Sequence, residues 1–264
     1  MALTLDPTRL ARIPTWAQRY VDARKYAGLS VLIRQGGEEV FFDAQGLRDI
    51  SAETPFARGT VARIYSMTKP VTSLVLMMLV EEGRLHLDAP LSRFLPEFAT
   101  PRALVPGATT LSETQPCAVP TLHQLLTHQS GLSYAFNPGL VPEAMDAEKV
   151  FFSPGSPASA DQCAALAQLP LAFAPGARWE YSVGIDVIGR VIEVVTGQSL
   201  SEVFQSRVFD PLGMRETAFA VPTHARDRFA ALYTPLAGNA MALGSAETGA
   251  DPLREVDGAT QSPF

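Results

Sequence analysis

Apolar residues recur at helical spacing near the start of the chain, at Leu10, Ile13, Ala17, Tyr20 and Val21, the period that lines one helix face. Asp6-Pro7 ahead of them reads as an N-cap followed by proline at the first helical position, and Pro14 predicts a kink or restart. The pattern then changes. Gly28–Arg34 and Glu39–Asp43, rich in β-branched and aromatic residues, flank Gly36-Gly37 and predict a β-hairpin. The hairpin alternates poorly and is apolar on much of both faces, so it expects neighbours in a larger sheet. A short β-prone run from Thr60 ends at Tyr65, and Val71–Val80 reads as helix, with Leu74, Leu76, Met77, Met78 and Leu79 among its apolar positions. An opening helix on antiparallel strands followed by a helix is an α+β beginning.

Punctuation organises the remainder. Thr100–Pro120 and Asn137–Pro157 are rich in proline, glycine and polar residues and predict long loops. Between them Thr121-Leu122-His123-Gln124 has the spacing of a capping box before Leu125-Leu126. Ser159-Ala160-Asp161-Gln162 caps a short helix ending near Leu169-Pro170, and Pro175-Gly176 turns the chain into Trp179–Val183. Asp186–Val195 is helical and Gly197 stops it. Ser199-Leu200-Ser201-Glu202 caps one more helix, which ends before Asp210, and beyond Pro235 the composition predicts loop. No internal repeat is present.

Composition narrows the function classes. The 264 residues are 47% hydrophobic and 18% charged, enough to bury a core. A net charge of −6 with no basic cluster argues against a nucleic-acid or anionic-membrane surface. The longest apolar run is too short to span a bilayer. The first residues show no signal peptide, and Cys117 and Cys163 form no close-spaced pair. A cytoplasmic protein with free thiols is the expectation. His123 and His128 lie five apart without the glutamate of a zinc-protease motif or a third ligand, so structural roles are expected and no metal or other cofactor is called for.

The chemistry concentrates at Tyr65-Ser66-Met67-Thr68-Lys69-Pro70. Ser66 falls at the mouth of the predicted helix and Lys69 one turn further in, on the same face, so the amine can reach the hydroxyl and accept its proton. The helix N-terminus favours the anion that this transfer leaves on the serine. The plainer alternative is an N-cap serine beside a solvated lysine. The chain has only three lysines, Lys25, Lys69 and Lys149, and only Lys69 has a serine three residues before it.

This hexapeptide, with Glu81-Glu82-Gly83-Arg84-Leu85, Leu87-Asp88-Ala89-Pro90-Leu91 and Thr127-His128-Gln129-Ser130-Gly131-Leu132, resembles the serine β-lactamase and penicillin-binding-protein superfamily. The likeness is greatest to its class C-like branch, which includes the family VIII carboxylesterases. The resemblance implies an α+β fold, an antiparallel sheet flanked by helices plus a mostly helical lobe. It predicts an α/β lobe over residues 1–99, the helical lobe over 100–214 and a return segment over 215–264. It also implies Ser66 as nucleophile, with Tyr181 in Trp179-Glu180-Tyr181-Ser182-Val183 as the second-motif tyrosine paired with Lys69 in general acid–base work. The Ser66 backbone N–H is then one oxyanion donor, and Tyr65, Trp179 and Val183 are candidate pocket residues. Tyr181 also fits an ordinary buried aromatic with a satisfied hydroxyl.

Val183 departs from the asparagine of the family's lactamases, and valine offers no hydrogen bond to a lactam amide. A small-molecule carboxylic ester is therefore the expected substrate. A β-lactamase or D-amino-acid peptidase, an acyltransferase and a non-catalytic scaffold stand as alternatives. No G-x-S-x-G elbow is present, which argues against an α/β-hydrolase. The family's third motif has no counterpart after Gly197, so the C-terminal strands that carry it are expected outside these 264 residues.

Overall fold

A computed structural model describes residues 5–151, 159–235 and 253–256. In chain order its helices are α1 (Pro7–Leu10), α2 (Arg12–Asp22), α3 (Thr68–Glu81), α4 (Leu122–Leu126), α5 (Leu140–Ala147), α6 (Ser159–Leu166), α7 (Gly184–Thr196) and α8 (Leu200–Phe204). The strands are β1 (Gly28–Gln35), β2 (Glu38–Asp49), β3 (Thr54–Pro55), β4 (Arg102–Leu104), β5 (Thr114–Pro116), β6 (Leu232–Pro235) and β7 (Leu253–Val256). Contacts divide the chain into two units. One is built from Met1–Arg63 with Val221–Thr260, the other from Ile64–Ala220 with Gln261–Phe264.

In the first unit the Asp6 carboxylate accepts from Thr8 N–H at 2.8 Å and Pro7 opens α1. The helix restarts at Arg12, which puts Pro14 in the first turn of α2, where a missing N–H leaves no bond unmade. Ala17 is fully buried, and α2 packs on β2. Strands β1 and β2 pair antiparallel from Gly28↔Gly46 to Gln35↔Glu38, and β3 adds to β2. Gly36 and Gly37 at φ +61° and +88° make the tight turn whose twist suits a hairpin. β2 runs on to Asp49, past the expected end at Asp43. The run from Thr60 is no strand: Val61 alone forms a bridge, with Phe229, and Tyr65 lies in a 3₁₀ turn.

The second unit is an apolar body around α3 and α7. In α3, Thr72, Val75, Leu76 and Leu79 are buried, at i, i+3, i+4 and i+7. They pack towards α7, whose Val187, Ile188, Val191 and Ile192 are all fully buried. Each such side chain contributes about 1.5–3 kcal/mol by leaving water. The division by contacts falls at Arg63/Ile64. Both expected capping boxes form: Gln124 N–H donates to Thr121 Oγ1 at 3.2 Å, and Glu202 N–H to Ser199 Oγ at 3.3 Å. Gly197, at φ +72°, closes α7 in the left-handed conformation.

Three expected loops contain more structure than their composition suggested. Residues 100–120 hold the β4–β5 hairpin, anchored by Leu104 N–H to Leu171 O at 2.9 Å. Residues 137–151 hold α5, whose Val141, Pro142 and Met145 are buried; residues 152–157 of that expected loop lie outside the described residues. Beyond Pro235, β7 pairs with β6, and the rest of that stretch also lies outside them. In each case a short apolar pattern was masked by the proline and glycine around it. The expected C-terminal strands of the family are likewise not among the described residues.

Candidate active site

Ser66 is exposed in the 3₁₀ turn Tyr65–Met67, immediately before α3. Tyr65 adopts φ +42°, a left-handed conformation that costs a residue with a side chain of order 1 kcal/mol or more. That backbone sets the direction in which the serine leaves the turn. Lys69 follows at the second position of α3, and Pro70, at the third, forgoes an N–H that has no helical partner there.

Tyr181 comes from the segment before α7, held by a ladder to residues 128–133. Gly176 N–H donates to Gln129 O at 2.8 Å, Glu180 N–H to His128 O at 2.9 Å and Val183 N–H to Ser133 O at 3.2 Å. Gly131 makes this closeness possible. It sits at φ +86°, and a Cβ there would lie 2.2 Å from Phe173 O. Asn137 ties the same segment down, its amide donating to Tyr181 O at 2.8 Å and to Ser133 Oγ at 3.0 Å.

These two elements bring the predicted triad together. Tyr181 Oη donates to Ser66 Oγ at 2.8 Å, and Lys69 Nζ donates to the same oxygen at 3.2 Å. Lys69 Nζ also lies over two ring faces, 4.9 Å from the Tyr181 centroid and 5.3 Å from that of Tyr134. Two donors converging on one hydroxyl oxygen suit an oxygen that becomes anionic.

The other sequence candidates separate. Tyr65 and Trp179 are exposed at 54% and 63%, available to a ligand. Val183 is fully buried in the apolar core, with no surface to offer. Its side chain is therefore a packing group.

Several neighbours of the triad were not assigned to the site by the sequence, which singled out His128 only for a structural role. His128, at φ +56°, has its ring 4.8 Å from that of Tyr181. Ser182 N–H donates to His128 Nδ1 at 3.2 Å, which makes Nδ1 the acceptor and places a neutral ring's proton on Nε2. Burial, and secondly the Lys69 charge, push the His128 pKa down. Tyr134 is buried at 1% exposure, its ring 5.1 Å from Tyr181, and its hydroxyl donates to Asp186 Oδ2 at 2.7 Å. Burial, then the Asp186 charge, raise the Tyr134 pKa, so it stays a donor. Phe136, 59% exposed, stacks on Tyr134 at 4.7 Å. The one sequence signal for Asp186 was an acidic residue in the first turn of a mostly apolar helix. Nothing in the local pattern marked Tyr134.

Cys117 and Cys163 are free thiols, and burial pushes Cys163 up to about 12, which leaves it unreactive. Among the described residues no group of three or more His, Cys, Asp or Glu side chains is placed to hold a metal. No helix among them is long and apolar enough to cross a membrane.

The geometry can be set beside known proteins. Esterase EstB of Burkholderia gladioli is 36% identical over 248 residues, covering 88% of this chain and 58% of EstB. Lovastatin esterase of Penicillium rubens is 34% identical over 242 residues, covering 89% of this chain and 59% of that enzyme. The chain thus spans rather more than half the length of these relatives. Among solved structures, EstCE1, described as a hydrolase with promiscuous acyltransferase activity, superposes with a TM-score of 0.74 at 29% identity over 94% of this chain and 59% of its own. The family model for Beta-lactamase matches residues 13–252. The chain belongs to the beta-lactamase family, within the serine β-lactamase and penicillin-binding-protein superfamily, and shares that superfamily's α+β fold.

Proposed function

We propose that the protein carrying this chain is a serine hydrolase that cleaves short-chain carboxylic esters through a covalent acyl-enzyme. The observation that carries this reading is the convergence of Lys69 Nζ and Tyr181 Oη on Ser66 Oγ, at 3.2 and 2.8 Å. Ser66 Oγ loses its proton to the Lys69–Tyr181 pair and attacks the ester carbonyl carbon. The oxyanion is held in part by the Ser66 backbone N–H, which the turn before α3 leaves free of helical bonding. The tetrahedral adduct collapses, the C–O bond to the alcohol breaks, and the leaving oxygen takes the proton back through Tyr181. Water then attacks the acyl-Ser66 ester, loses a proton to the same pair and releases the acid, which restores the Ser66 hydroxyl.

Tyr65, Phe136 and Trp179 expose apolar rings within the same unit as the triad and are the proposed walls for the acyl or alcohol group. The likeness to EstB, lovastatin esterase and EstCE1 supports an esterase, and the description of EstCE1 supports acyl transfer to an alcohol as a second outcome of the same acyl-enzyme. The test is turnover of a p-nitrophenyl short-chain ester, with and without an added alcohol, against turnover of a penicillin, in wild type and Ser66→Ala. Ester turnover lost in Ser66→Ala is expected. Faster penicillin than ester turnover overturns the ester assignment, alcoholysis outrunning hydrolysis makes it an acyltransferase, and no turnover of either leaves a scaffold.

A further inference from the structure

Asp186 is a titratable group for which the acyl-transfer mechanism has no use. It sits in the first turn of α7 and is partly buried, and its carboxylate accepts from Tyr134 Oη at 2.7 Å. Desolvation is the strongest influence on that carboxyl and raises its pKa. The Lys69 charge is the next influence and opposes it, followed by the bonds from Tyr134 and from its own backbone N–H. Lys69 Nζ lies 5.3 Å from the centre of the Tyr134 ring, so one residue contacts the catalytic amine with its ring and the carboxylate with its hydroxyl.

The other charged and titratable neighbours do not replace Lys69 in this role. Tyr181 acts on Tyr134. Cys163 of α6 feels Asp186 together with Glu97, Arg190 and Glu193, and Arg190 is engaged with Glu193 at 3.1 Å. A carboxylate withdrawn from water is costly unless a charge answers it. A hydrogen bond for Tyr134 alone would need only a neutral acceptor.

We infer that Asp186, fixed by the Tyr134 hydroxyl, is the counter-charge and positioning residue for Lys69, stabilising the positive charge that Lys69 acquires when it takes the Ser66 proton. The transfer is balanced within the site: the Ser66 O–H bond breaks, an N–H bond forms on Lys69, and the carboxylate changes neither its bonds nor its charge. The inference rests on the serine-hydrolase reading above, and its test separates the two.

Asp186→Asn keeps an oxygen that accepts from Tyr134 and removes only the charge. The readout is the rate at which a fluorophosphonate labels Ser66, followed against pH in the full protein. Labelling by the wild type is expected to fall as pH drops through the raised Asp186 ionisation. The Asn variant is expected to label about ten- to a hundredfold more slowly above that ionisation and to lack that limb, the range in which a nearby opposite charge alters a protonation equilibrium. Stability should move the other way. A raised folded pKa gives the wild type stability that is full below the unfolded carboxylate value and lost as pH rises through the folded one. The Asn variant has no such loss and should melt no lower than the wild type at neutral pH.

A folded Asn variant with the wild-type rate and limb overturns the inference while leaving Ser66 catalysis standing. A wild type that never labels at Ser66 overturns the hydrolase reading and the inference with it. If the Asn variant fails to fold by circular dichroism, Tyr134→Phe decides. Slower labelling with the acid limb displaced supports the arrangement, and wild-type labelling overturns it.

Discussion

The proposed nucleophile and its proposed partners are held by different means. Ser66 is exposed, and its position comes from backbone alone: the left-handed Tyr65, the 3₁₀ turn and the start of α3. On the facing side, Tyr181 rests on a ladder to residues 128–133, on the Asn137 amide and on the rings of His128 and Tyr134. The proposed attacking oxygen thus stands exposed, while the groups proposed to move its proton sit in a packed and partly desolvated neighbourhood where their orientation is over-determined. Substitutions that leave the packing of the tyrosine side intact should therefore change chemistry with little effect on stability, and those that disturb that packing should lower stability as well.

The largest separation is expected from Tyr181→Phe, which keeps the ring packing and deletes the 2.8 Å bond to Ser66. The kcat for ester hydrolysis should fall by about 10²-fold or more, and melting should stay near wild type. Near-normal kcat in the folded variant would remove Tyr181 from the mechanism. Gly131→Ala should have the largest effect on stability. Its Cβ would approach Phe173 O at 2.2 Å and its φ of +86° is strained for alanine, so a loss of about 2 kcal/mol or more is expected by denaturant unfolding. A wild-type midpoint would show that the ladder does not depend on that close approach.

A smaller effect follows from His128. Its folded pKa lies below the usual histidine value of 6.5. The folded state thus binds the proton less readily than the unfolded one. Stability from the neutral ring is full above about pH 6.5 and is lost as pH falls through the folded pKa. Protonation also sets an Nδ1–H against the Ser182 N–H that it accepts from at 3.2 Å. Melting curves should therefore show an acid loss that His128→Gln diminishes. The smallest effect is on the serine side. Tyr65→Gly relieves a positive φ and should raise stability by about 1 kcal/mol, while the turnover rate falls because the turn no longer fixes Ser66. A destabilised Tyr65→Gly would mean that the side chain, and not backbone strain, dominates there.

What could be read from the sequence follows the same division. The serine, the lysine one turn later and the tyrosine are local motifs, and helix periodicity with capping boxes locates α3, α4, α7 and α8 directly. Tyr134, His128 and Asp186 reach the site through tertiary packing, 52 residues separating Tyr134 from Asp186 and 54 separating His128 from Ser182. No spacing rule connects such residues. Val183 shows the converse: a motif position drew attention to a side chain that packing places wholly in the core. The short elements β4, β5 and α5 stayed hidden because proline and glycine dominate their surroundings, and their few apolar residues are decided by what they pack against.

The central claim is that Ser66 carries the acyl group between attack and release. The direct measurement is a rapid quench during turnover of a p-nitrophenyl short-chain ester, followed by peptide mass mapping of the whole protein. The acyl mass is expected on the peptide containing Ser66, accumulating in a burst that Ser66→Ala abolishes. An acyl group on Ser130, Ser133 or Ser182 with Ser66 unmodified, or steady turnover with no acylated serine at all, would contradict the account.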